Sequence, residues 1–283
     1  MKAEDIAGAW PGARFVRRLD PFGVEIDCDL TRPLGAGAAA AFRDLFYGET
    51  LLLFRGQSLG MDQQADLVGR LGPVLPSSGR SYVSPEDKVL GTVKLDYHSD
   101  LCATPMPLDA ISLLALEVGE GSSWTGFASG RRAYETLPDA LKARIAPLQV
   151  TFMQTLADKA RLAYDPPPEA LTLVRPLVMR HRITGRPIVY ANESSAARVE
   201  GLGPAESDAL LAELFAYLYG PGNELHHHWQ PGDLVVWDNL ALQHCRPALD
   251  PKLPRRLQRV ASGRRTLREQ VPHYNLSGIF GES

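Results

Sequence analysis

A chain of 283 residues with 45% apolar and 22% charged residues can bury a substantial core, which argues against disorder. A formal net charge of −3 without any Lys/Arg block gives no support to a nucleic-acid or anionic-membrane surface, and no apolar run nears the roughly 18 residues of a membrane span. The N-terminus, Met1 to Ile6, lacks the apolar core of a secretory signal, and Cys28, Cys102 and Cys245 show no C-x-x-C spacing, so a reducing, cytoplasmic setting without disulfides is expected.

Val24 to Leu30 alternates as a half-buried strand should. Ala38 to Tyr47 carries Phe42, Leu45 and Phe46 at helical spacing, and Thr50 to Phe54 is an apolar run that predicts a buried strand. Met61 to Leu71 reads as a second helix, ended by Gly72-Pro73. Pro73 to Glu86, rich in Ser, Gly and Pro, predicts a loop, and Ile111 to Val118 another apolar strand. Arg131 to Leu148 is helical with a break at Leu137-Pro138. Leu177 to Ile183 and Pro187 to Asn192 flank Thr184-Gly185-Arg186, a hairpin signal. Gly203-Pro204 opens a helix with Leu210, Leu211, Leu214, Phe215 and Leu218 on one face. Leu225 to Trp229, Leu234 to Trp237 and Leu257 to Ser262 close the chain as strands. No repeat or linker interrupts this order, so one domain over 1–283 is expected. The pattern predicts a mostly β fold with peripheral helices around a double-stranded β-helix (jelly-roll) core.

Chemistry concentrates in His98-Ser99-Asp100 and, far downstream, His244. Positions i and i+2 of a strand face one side, so His98 and Asp100 can reach one ion. Two imidazoles and a carboxylate occupy one face of Fe(II) and leave the other open for a co-substrate and O2. An H-x-D triplet alone is weak, but Arg255 follows His244 by eleven residues and Arg259 by fifteen. A metal triad followed by cationic anchors suits a dicarboxylate held against iron. Cys245 points away from His244 on a strand, and Cys102 and Cys245 read as packing residues. His226-His227-His228 reads as structural, because His226 and His228 share a face that His227 leaves.

The chain resembles the taurine dioxygenase/TfdA family of Fe(II)- and 2-oxoglutarate-dependent oxygenases. The resemblance rests on Leu52-Leu53-Phe54-Arg55-Gly56-Gln57, Leu71-Gly72-Pro73, Tyr97-His98-Ser99-Asp100, and Ala115 to Val118 leading to Thr125. It continues through Ala133 to Pro138, Gly232 to Asn239, His244 and Arg255-x-x-x-Arg259. It implies that His98, Asp100 and His244 bind Fe(II), and that Thr125 and Arg255 hold the distal carboxylate of 2-oxoglutarate. It further implies that Arg259 meets an anionic group of a small-molecule substrate, and that succinate and CO2 are released as a C–H bond is oxidised. Asp100 implies oxygen insertion or desaturation, not halogen transfer. A homo-oligomer also agrees with the resemblance.

Two departures from the family pattern stand out. The family reads G-G-x-T where this chain has Gly121-Ser122-Ser123-Trp124-Thr125, so Trp124 is expected to add a bulky wall to the site. The loop after Gly72-Pro73 holds no histidine of the kind taurine enzymes use, which disfavours taurine; Lys94 and Tyr82 are candidate replacements, and Asn192 a candidate contact at the cavity mouth. Three other readings stay open from the residues. The same centre can act as a desaturase or cyclase. A zinc hydrolase suits the triad, though no nearby Glu stands out as its base. A metal-binding sensor has no need of a dicarboxylate anchor.

Overall fold

Leu51 to Phe54 is apolar at every position because both faces of its strand are covered. Leu52 and Phe54 pack outward with Phe42, Leu45 and Phe46, while Leu51 and Leu53 pack inward with Trp237 and Phe127. The computed structural model describes residues 1–76, 79–86, 91–121, 123–153, 165–166 and 170–272. In chain order its strands are β1 (Arg14–Arg18), β2 (Val24–Asp27), β3 (Leu51–Phe54), β4 (Arg80–Val83), β5 (Leu95–His98), β6 (Ala110–Val118), β7 (Trp124–Ser129) and β8 (Gln149–Met153). They continue as β9 (Thr172–Pro176), β10 (Val178–Arg180), β11 (Pro187–Val189), β12 (Ala196–Val199), β13 (Glu224–His228), β14 (Leu234–Asp238), β15 (Leu242–Arg246) and β16 (Arg255–Ser262). The helices are α1 (Ile6–Ala9), α2 (Ala36–Glu49), α3 (Met61–Gly69), α4 (Gly130–Thr136), α5 (Asp139–Ile145), α6 (Pro204–Leu218) and α7 (Leu267–Gln270). Among the described residues no helix is long and apolar enough to cross a membrane.

Two sheets form the jelly roll. The larger runs β1-β2-β3-β14-β6-β16-β4 and the smaller β13-β7-β15-β5. Only the β2/β3 pair is parallel; the other named pairs are antiparallel. Period-2 alternation sends Leu113, Val235, Trp237 and Leu257 into the space between the sheets, where they meet Phe127, Leu225 and Leu242. Each such side chain taken from water contributes about 1.5–3 kcal/mol. The outer face of the larger sheet is roofed by α2. A second layer, in which α4, α5 and α6 pack over β8, β11 and β12, buries Leu141, Ile145, Phe152, Leu210 and Leu214.

The helices over Ala38–Tyr47, Met61–Leu71 and Pro204–Leu218 form within a few residues of their expected bounds, and Leu137-Pro138 divides α4 from α5. The hairpin turns at Gly185, whose φ of 67° suits glycine. Two expectations are corrected. The loop over Pro73–Glu86 contains strand β4, which adds to the open edge of β16 despite its polar sequence; Ser77 and Ser78 lie outside the described residues. Strand β5 ends at His98, so Asp100 reaches its position by a turn and not by strand alternation.

Candidate functional site

β5 and β15 are neighbours, and their register sets His98 directly opposite His244. The two rings lie 4.2 Å apart, centre to centre. His244 shares the inward face of β15 with Leu242, while Cys245 turns outward to Tyr97 and Ala128. Past β5 the chain bends: Cys102 N–H donates to the Ser99 carbonyl at 3.2 Å, and Leu101 takes a φ of 59°. Asn239, in the turn between β14 and β15, grips this bend. Its Oδ1 accepts from Asp100 N–H at 3.0 Å, and its Nδ2 donates to the Asp100 and Leu108 carbonyls at 3.1 Å each. Asp100 Oδ1 then stands 3.4 Å from His98 Nε2 and 3.7 Å from His244 Nε2.

This is the only group of three or more metal-ligating side chains among the described residues, with its donor atoms within 4.8 Å of one another. His98 Nδ1 lies 2.8 Å from the Asp96 carbonyl, which as acceptor keeps the proton on Nδ1 and leaves the Nε2 lone pair for a metal. Burial, then the charge of His98, pushes His244 down to about 3, so it stays a neutral ligand. Burial would raise the Asp100 carboxyl, but His98 in its protonated form, which donates from Nε2 as well as Nδ1, and the Arg259 charge hold it well below the usual carboxylate range. Two neutral-capable imidazoles and one carboxylate on one side are the donor set of a facial Fe(II) site.

Thr125 faces the interior from β7 and accepts the Trp229 indole N–H at 2.9 Å. Arg255 starts β16, is 4% exposed, and donates Nε to Ser123 Oγ at 2.6 Å. Its Nη1 is buried without a partner among the described residues. Burial, then the neighbouring Arg246 charge, pushes its pKa down to about 10. A guanidinium so enclosed calls for an anion, and its planar edge suits a carboxylate. The residues present therefore suit both Fe(II) and a dicarboxylate co-substrate. Arg259 Nη2 meets Asp100 Oδ2 at 2.6 Å, which sets its cation beside the metal-ligating group.

Four expected substrate contacts lie elsewhere. Trp124 does not wall the site: Thr125 faces inward, so Trp124 must face outward, where it stacks on His226 at 4.3 Å. Tyr82 pairs with Gln258, which bonds to Gln64 of α3, and so projects from the outer face of the larger sheet. It is 44% exposed, with the Arg256 guanidinium 4.3 Å over its ring. The Lys94 side chain is 69% exposed and pairs with Asp96 at 2.5 Å. Asn192 is not at a cavity mouth: it is 2% exposed and donates to Cys102 Sγ at 3.5 Å. His227 turns inward to Asp233 at 3.1 Å while His226 and His228 face solvent, so the three do not converge. Ser122 lies outside the described residues.

Sequence reasoning missed Ser123, Trp229 and Asn239. The only available signal was position: Ser123 stands two residues before Thr125, and Asn239 five before His244.

The family described as "Taurine catabolism dioxygenase TauD, TfdA family" matches residues 16–261. The chain is 32% identical over 216 residues to an (S)-phenoxypropionate/alpha-ketoglutarate-dioxygenase of Sphingobium herbicidovorans, covering 69% of this chain and 75% of that one. It is 30% identical over 270 residues to a Delftia acidovorans protein of the same name, covering 84% and 92%. A solved taurine dioxygenase from Burkholderia xenovorans superposes with a TM-score of 0.76 at 25% identity, over 89% of this chain and 91% of that one. With a family match over most of its length, a shared fold and a donor set suited to iron, the chain belongs to the TauD/TfdA family of Fe(II)- and 2-oxoglutarate-dependent dioxygenases.

Proposed function

We propose that this dioxygenase hydroxylates a small organic acid of the aryloxyalkanoate kind, with Arg259 facing the substrate anion. The observation that carries the reading is the Arg259 guanidinium edge 2.6 Å from the outer oxygen of Asp100, next to the place where a substrate must present its C–H bond. Two relatives whose names specify (S)-phenoxypropionate support the acid class. In this reading His98, Asp100 and His244 hold Fe(II), which with 2-oxoglutarate and O2 supplies the oxidising chemistry. Thr125 and Arg255 bind the distal carboxylate of 2-oxoglutarate. Phe127 and Trp237 pack the floor beneath His244 and exclude water from it. Arg259 orients the substrate by its anion, and its cation offsets the negative charge gathered around Asp100.

The test is succinate release from a panel of aryloxyacetic and aryloxypropanoic acids and their methyl esters. Acids are expected to turn over with an added oxygen in the product, and esters poorly. Arg259→Gln is expected to raise KM for the acid by about tenfold or more, the scale of one charge-assisted contact, with little change in KM for 2-oxoglutarate. Equal turnover of acids and esters, or an unchanged KM in Arg259→Gln, rejects the organic-acid reading.

A further inference from the structure

Thr125 and Arg255 are each held by a second residue with no other task in the site. Trp229 follows β13 and reaches across to β7, where its indole N–H donates to Thr125 Oγ at 2.9 Å. Ser123 precedes β7 and accepts Arg255 Nε at 2.6 Å. All four residues are buried.

The direction of these bonds matters. A hydroxyl has one proton to give and two lone pairs to receive with, whereas an indole N–H and a guanidinium only donate. An oxygen that has accepted from Trp229 or from Arg255 cannot return its own proton to that partner. The Thr125 and Ser123 protons must therefore point elsewhere, and among the described residues neither hydroxyl donates to a protein acceptor. Arg255 Nη1 is buried and equally without a partner. Three donors are thus left without a protein acceptor among the described residues: the Thr125 hydroxyl on β7, the Ser123 hydroxyl just before that strand, and Nη1 of the Arg255 side chain bonded to Ser123. Buried donors are normally satisfied, so this trio calls for an acceptor with several lone pairs.

We infer that Ser123 and Trp229 are co-substrate-positioning residues. Trp229 turns the Thr125 hydroxyl towards the distal carboxylate of a 2-oxo dicarboxylate. Ser123 locks the plane of the Arg255 guanidinium and adds a third donor of its own. Ser123 stands where the family pattern has its second glycine, which could do neither, so this part of the cradle belongs to this chain. The inference rests on the reading of Thr125 and Arg255 as the co-substrate anchors.

The experiment is an anaerobic titration of the Fe(II)-loaded enzyme with 2-oxoglutarate, following the visible charge-transfer band of the chelate. Pyruvate, which keeps the 2-oxo acid but lacks the distal carboxylate, is titrated in parallel, and Mn(II) affinity is measured without either. Ser123→Ala and Trp229→Phe are each expected to weaken 2-oxoglutarate by about tenfold, the scale of one charge-assisted hydrogen bond. Pyruvate and Mn(II) affinities should not move, and Ser123→Thr should restore most of the loss. An unchanged 2-oxoglutarate affinity in Ser123→Ala, or an equal loss for pyruvate, overturns the positioning role. Arg255→Gln separates the two levels. If it leaves 2-oxoglutarate binding unchanged, the anchor reading itself fails. If it weakens binding while Ser123→Ala and Trp229→Phe do not, only the positioning inference fails.

Discussion

Burial raises the thiols as it lowers His244. Cys245 is pushed up to about 11 and Cys28 to about 12, each mainly by removal from water, and the enclosed Cys102 rises for the same reason. A raised pKa means less thiolate at a given pH, so at pH 8 roughly one Cys245 in a thousand is ionised. Iodoacetamide at pH 8 is therefore expected to modify the native protein slowly and to label all three cysteines in urea. The native rate should climb about tenfold per pH unit below pH 11. Fast native alkylation of Cys102 or Cys245 at pH 8 would contradict their assignment as packing residues. At this scale the sequence was legible where residue type and offset carry the chemistry, as for His98, Asp100 and His244, which the fold brings into one donor group. It misled for Trp124 and Tyr82, because the face a side chain takes depends on strand phase. Once Thr125 is placed inward, Trp124 has no choice.

Among the elements, the turn between β14 and β15 does more than connect strands. Asp238 Oδ1 accepts from Leu240 and Ala241 N–H at 3.0 and 3.2 Å, which shapes the turn, and Asn239 spends its whole side-chain amide on the bend after β5. The position of Asp100 thus depends on a segment 139 residues away. Asn239→Ala takes the partner from the Asp100 N–H and the Leu108 carbonyl and leaves the Asp100 carbonyl with only the Leu108 N–H at 3.4 Å, a cost of about 1–3 kcal/mol for each orphaned group that water cannot reach. The expected outcome is a lower Tm together with weaker Mn(II) binding, whereas Asn192→Ala, which removes a buried amide on the other side of Cys102, should lower Tm alone. Equal metal affinity in both variants would show that Asp100 needs no such hold. Strand alternation predicts that His98 and Asp100 share a side, but β5 stops at His98 and the turn after it brings Asp100 back to the ring. The Trp237-Asp238-Asn239 run was visible in the sequence; which of its atoms meets which partner was not, since those partners are remote in the chain.

For the whole molecule, the sandwich between the two sheets is both the core and the floor of the metal group. Phe127 and Trp237 pack at 5.2 Å between ring centres, and Trp237 lies 5.0 Å from the His244 ring. Local patterns gave the strands of this sandwich but not their order, because β14 sits between β3 and β6, and β16 between β6 and β4. Such neighbours are joined by registers, such as Val235 with Leu53 and Leu113, that no local window contains. The arrangement separates stability from function in a testable way. Phe46 is as deeply buried as Phe127 but belongs to α2 and packs against the outer face of the larger sheet. Replacing either by alanine is expected to cost about 3–5 kcal/mol in urea unfolding, through lost burial and a cavity. Only Phe127→Ala opens that cavity beside Trp237, so only it should let the His244 ring drift and weaken Mn(II) binding. Matching losses of metal affinity in both variants would mean that the centre senses global stability. A loss confined to Phe127→Ala would mean that the inter-sheet packing itself holds the ligand geometry.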